Sequence, residues 1–108
     1  MIDWSHIDEL KQDMEDAFDE VVEAFLLEAS DGVARLEAAV PAQTLAADLH
    51  FLRGAALNLG FAEFAALCGE GEAQANAGQA AQVDLAAIRA SFEASRQALA
   101  SGLRTRAA

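Results

Sequence analysis

The sequence is poor in the features that staple, stiffen or anchor a small protein. It holds one cysteine, one proline, one tryptophan and no tyrosine. A lone thiol, Cys68, cannot close an intramolecular disulfide, which fits a reducing compartment. No Cys/His metal spacing surrounds it, so it reads as inert core packing and no metal site is expected. Cations are also scarce. Seven Lys and Arg face eighteen Asp and Glu, giving a formal charge of −11. That balance repels phosphate backbones and anionic lipid, which argues against nucleic acid and membrane surfaces as partners. No apolar run approaches a membrane span, and no basic-then-apolar leader opens the chain. The expected location is the cytoplasm. With Met1 at its start and no kinase or receiver sequence, the chain is expected to be a free-standing module. Internal repeats, low-complexity runs and Gly-rich phosphate loops are missing as well.

What remains is a chain of 108 residues, the size of one domain that can bury a core unaided. Alanine and leucine dominate its apolar residues and β-branched residues are few, so it reads as all-helical. Ser5 can cap a short first helix over about residues 5–14, with Ile7, Leu10 and Met14 on its apolar side. Asp8 and Glu9 would sit in its first turn, Trp4 would staple onto the body, and His6 would face solvent. A second helix over about 16–39 carries Phe18, Val22, Phe25, Ala29, Val33, Leu36 and Val40, a four-and-three core seam. Its acids form a solvated face without a Glu-x-x-His step, and Gly32 marks a close neighbour.

Pro41 ends that helix and suits the first position of a third, about 42–59, which Gly60 would close. A fourth, about 62–77, turns Phe64, Leu67, Cys68, Gly71 and Ala75 to one side. Glu72 flanks that side, equally placed to hold a neighbouring polar group or to face water. Gly78 ends the helix, and residues 79–83 connect to a last one over about 84–102, capped by Asp84. Its seam is Leu85, Ile88, Phe92, Ser95, Leu99 and Leu103. Gly102 would mark a fraying end, and Thr105 to Ala108 a disordered tail. Short connections between long amphipathic helices argue for an antiparallel up-down-up-down four-helix bundle, with the first helix as a lid.

The third helix carries the chemistry. At about 100° per residue, Leu45, Leu49, Leu52, Ala56 and Leu59 fall within an arc of about 80°. His50 lies about 140° from the centre of that stripe and therefore points outward. Gly54 lies beside it one turn on, at a cost of about 1 kcal/mol relative to alanine in a helix. Close approach of another molecule over the imidazole is a reason to tolerate that cost. Arg53, on the flank, is placed to reach back toward His50. The exposed face around His50, expected as a docking surface, comprises Ala46, Ala47, Gly54, Leu57, Asn58 and Phe61.

His50-Phe51-Leu52-Arg53-Gly54, followed by Asn58 and Gly60, resembles the signature of histidine-containing phosphotransfer (HPt) domains. Phe64, Leu67, Cys68 and Glu72 also resemble the helix that follows that signature, and the likeness runs through nearly the whole chain in helix order. Arg53 stands where lysine is commoner. Gly69 and Gly71 stand where helix formers or a leucine are usual. The resemblance implies that His50 carries a phosphoryl group, Arg53 steadies it and Gly54 clears room for the partner. It further implies a phosphorelay intermediate, a carrier without kinase or hydrolase activity of its own. The partners would be response-regulator receiver domains, with a hybrid sensor kinase as a further candidate.

The chain itself offers no nucleotide motif and no carboxylate cluster for Mg2+. No cofactor of its own is expected, and the receiver would supply the ion. A monomer is the expected state. The rival reading is a helical module that docks a receiver or kinase without carrying phosphate.

Overall fold

The computed structural model describes residues 2–37 and 39–107, with the side chain of Ala107 outside that description. Five α-helices account for most of the described residues: α1 Trp4–Met14, α2 Phe18–Ala34, α3 Ala42–Asn58, α4 Ala62–Asn76 and α5 Leu85–Ala107. Single 3-10 turns, Glu15–Ala17 and Ala80–Gln82, join α1 to α2 and α4 to α5. Helices α2, α3, α4 and α5 pack in ring order, α5 returning to α2, which makes an all-α four-helix bundle. One core runs through it, with Phe18, Leu49, Leu52, Phe64, Ile88, Phe92 and Leu99 buried. Phe61 and Phe64 both pack on Phe92, with ring centroids 6.2 and 5.3 Å apart. Burial pushes the Cys68 thiol up to about 12, which leaves it without nucleophilic character near neutral pH.

The helix ends show how the bundle is set. Gly60 (φ +70°) and Gly78 (φ +80°) take the left-handed conformation that closes α3 and α4. In each case the following N–H reaches back over the turn, Phe61 to Ala56 at 2.9 Å and Gln79 to Gln74 at 2.8 Å. Asp84 caps α5 by accepting from the Ala87 N–H at 3.0 Å. Pro41 occupies the cap position of α3 (φ −56°, ψ 147°) and not its first helical residue. Its ring fixes the φ, and its extended ψ keeps it just outside the helix.

Three elements differ from expectation. First, α2 stops at Ala34, before the anticipated residue 39, although Leu36 is still buried. Just beyond that end, Arg89 of α5 donates to the Leu36 carbonyl, an acceptor that a continuing helix would engage internally. Ala38, within the expected helix, lies outside the described residues.

Second, Asp3 caps α1 and Ser5 does not. The Asp3 carboxylate accepts from the His6 N–H at 3.2 Å, while the Asp3 N–H donates to the Gly60 carbonyl at 2.8 Å. That tertiary bond fixes where the helix begins. Asp8 and Glu9 consequently fall beyond the first turn, and Met14 is exposed. His6 also departs from a plain solvent position. Its Nε2–H donates to the Asn58 carbonyl at 2.8 Å, satisfying an acceptor at the end of α3.

Third, α5 runs on past Gly102 through Thr105–Ala107, where a tail was expected, and Ala108 lies outside the described residues. Gly102 is not a fraying end. The Trp4 indole lies against it so closely that an added Cβ would clash with the ring. Arg106 covers the same ring with its guanidinium carbon 4.7 Å from the centroid and pairs with Asp8. Gly102→Val should therefore expel the single tryptophan, moving its fluorescence to the red and lowering Tm. Overpacking of this kind costs about 1–3 kcal/mol. Unchanged emission would show that Trp4 does not need the glycine.

Candidate functional site

The site is built on the seam where α3 runs antiparallel to α4. Leu45, Leu49, Leu52, Ala56 and Leu59 are all buried, so the helix is locked in one rotation about its axis. That rotation presents His50 to solvent with its side chain 71% exposed. Its Nδ1 lies 3.1 Å from Glu72 Oε2 and 3.3 Å from Oε1, across the seam on α4. An ionised carboxylate only accepts, so this contact selects the imidazole tautomer with hydrogen on Nδ1. Nε2 then carries the free lone pair, and it has no partner among the described residues. The open choice for Glu72 is thus resolved: it holds a polar neighbour. The pair could not be read from the sequence, because the contact spans 22 residues and depends on how the two helices are phased.

Arg53, one turn along α3, is exposed, and the hydrogen-bond partner of the imidazole is Glu72. The Arg53 stem crosses to α4, where an added Cβ at Gly69 would lie 3.4 Å from both Cδ and Nε. The apolar stem finds a surface there, while Glu72 already occupies His50 Nδ1. Arg53 and Glu72 rim a shallow depression of about 580 Å3, floored by Ala62, Ala65, Ala66 and Gly69 and flanked by Leu57. The two glycines in α4 have different neighbours. Gly69 underlies Arg53, and Gly71 is buried against Leu49 and Val83, where a Cβ would lie 3.0 and 3.1 Å from their methyl carbons.

Gly54 lies on the face next to His50, and a Cβ built there would meet nothing within 4 Å. No internal packing therefore demands glycine at this position. Of the expected docking residues, Ala47, Leu57 and Asn58 are exposed as anticipated. Ala46 and Phe61 are corrections. Ala46 is buried because it falls on the α3 flank that faces α4, in line with Arg53 seven residues later. Phe61 is fully buried because the left-handed Gly60 ends the helix before it, so helical phasing no longer applies. Phe61 instead packs on Phe92 and bridges to Ile2.

Phe51 belongs on the accessible face and was not anticipated there. It is 44% exposed, and Leu57 is 52% exposed. They are the only large apolar side chains exposed on α3, lying on either side of the His50–Gly54 line. The signal was available, since Phe51 falls about 120° from the centre of the core stripe. Among the described residues, no three His, Cys, Asp or Glu side chains come together in a group that could hold a metal ion.

Comparison with known proteins bears on what such a site is for. Residues 20–98, well over half of the chain, match the family model described as Hpt domain. A search of curated proteins and a search of solved structures each returned no match.

Proposed function

The chain belongs to the Hpt domain family, and on that premise we propose that His50 accepts and passes on a phosphoryl group in a phosphorelay. Hpt domains are phosphocarriers, not kinases or hydrolases, and they interact with receiver domains. The observation that carries the assignment to His50 is its exposed imidazole, with Nδ1–H held by Glu72 and Nε2 open to a partner. A neutral imidazole with that tautomer is a competent nucleophile without prior proton transfer.

In the proposed step the Nε2 lone pair attacks the phosphorus of an aspartyl phosphate on a receiver domain. The N–P bond forms, the P–O bond to the acyl oxygen breaks, and its electron pair stays on the receiver's carboxylate. The Nδ1 proton remains on the ring, whose new positive charge faces Glu72. The reverse step returns the group to a second receiver.

The transition state spreads negative charge over the phosphoryl oxygens, which the Arg53 guanidinium would offset. The receiver would supply Mg2+. Gly54 would leave room for the receiver to approach, and Ala47, Phe51, Leu57 and Asn58 would form the docking face. We place this relay in the cytoplasm with the chain as a monomer. No described helix is long and apolar enough to cross a membrane.

The test is incubation with a labelled, phosphorylated receiver. Acid-labile, base-stable label on this chain is the expected result. No label from several receivers, with the protein folded, would contradict the proposal and leave a docking module that carries no phosphate.

A further inference from the structure

Two departures of this chain from the HPt pattern, arginine at 53 and glycine at 69, meet in space. The antiparallel seam is in register: His50 faces Glu72, and three residues up α3 and three down α4, Arg53 faces Gly69. At Gly69 the surface of α4 is bare backbone, and the Arg53 stem lies on it at 3.4 Å from the position a Cβ would take. A guanidinium is broader than an ammonium and planar, so it needs a flat seat that lysine would not.

The geometry points to Gly69 as the positioning residue for Arg53, a shelf on which the Arg53 stem rests one turn along α3 from the phosphoryl-accepting imidazole. This rests on the role of Arg53 proposed above. The shelf explains why no long side chain stands at this point of α4. It also sets a size limit. A methyl group at 69 stays at ordinary contact distance from Cδ and Nε, whereas a longer side chain competes with Arg53 for the same surface. Lifting the stem costs Arg53 its fixed geometry, and preorganisation is what makes such a charge effective on a transition state.

The experiment is single-turnover transfer from a phosphorylated receiver to the full chain and to four variants. Arg53→Ala is expected to slow transfer about tenfold or more. Gly69→Leu should slow it to a similar degree, and Gly69→Ala should stay near the wild-type rate. In the double variant, Gly69→Leu should add no further loss to Arg53→Ala, because a shelf matters only to what lies on it. Wild-type speed in Gly69→Leu, with Arg53→Ala slow, would overturn the shelf and leave the role of Arg53 intact. Additive losses would overturn it too, since Gly69 would then act by another route. Wild-type speed in Arg53→Ala would remove the role of Arg53 and the shelf with it. Should Gly69→Leu fail to fold, NMR of the unmodified chain decides. Ordered Arg53 Hε with a contact to the Gly69 Hα protons supports the shelf, and an averaged Hε without that contact overturns it.

Discussion

His50→Gln is expected to abolish phosphoryl acceptance while leaving helical content and Tm close to those of the natural chain. The glutamine side chain fills similar space but ends in an amide, whose nitrogen lone pair is delocalised and not nucleophilic. The fold should be indifferent, because the imidazole is 71% exposed and contributes nothing to the buried core. Its pairing with Glu72 is at the surface, where such contacts contribute about 0–1 kcal/mol. Surface substitutions of this kind stay within about 0.5 kcal/mol. Stoichiometric labelling of His50→Gln would refute the assignment, whatever the receiver used.

Gly54→Gln should separate stability from function in the opposite sense. Glycine in a helix interior is less stable than an ordinary helix former by about 0.5–1 kcal/mol. A Cβ at position 54 meets nothing within 4 Å, so no clash offsets that gain. Thermal stability should therefore rise by a few degrees. Transfer should nevertheless collapse, because the new side chain stands one turn from His50 on the face a receiver must cover. A 1 Å displacement of reacting groups costs as much as about 10²-fold in rate. Unchanged transfer together with the gain in Tm would remove this account of Gly54, and glycine there would need another explanation.

Much of the architecture can be read from residue spacing. The stripe Leu45, Leu49, Leu52, Ala56 and Leu59 fixes the inner face of α3, and that alone turns His50 outward. Gly60, Gly78 and Asp84 act as helix punctuation for local reasons, which is why they behave as expected. Gly32 also matches its reading, since a Cβ there would come within 2.7 Å of Leu52.

What the spacing does not contain is set by contacts distant in sequence. Asp3 prevails over Ser5 as a cap because its own N–H is tied to Gly60. Helix α2 stops early where Arg89 takes the Leu36 carbonyl, and α5 persists because Trp4 and Asp8 hold its far end. The error at Phe61 is of another kind. Helical phasing does not carry across the left-handed Gly60, after which every side chain changes face. Ala46 and Glu72 show the remaining limit: which flank of α3 receives α4 decides both, and no single helix reports it.

The most direct test of the central claim is where the phosphoryl group bonds. The chain would be phosphorylated by a receiver and its histidine nitrogens observed by NMR. The account predicts one phosphoramidate, at Nε2 of His50, with Nδ1 still protonated and its signal disturbed by Glu72→Ala. A phosphoryl group on Nδ1 would mean that the Glu72 contact does not set the nucleophile, and a group on His6 or on no histidine would contradict the account outright.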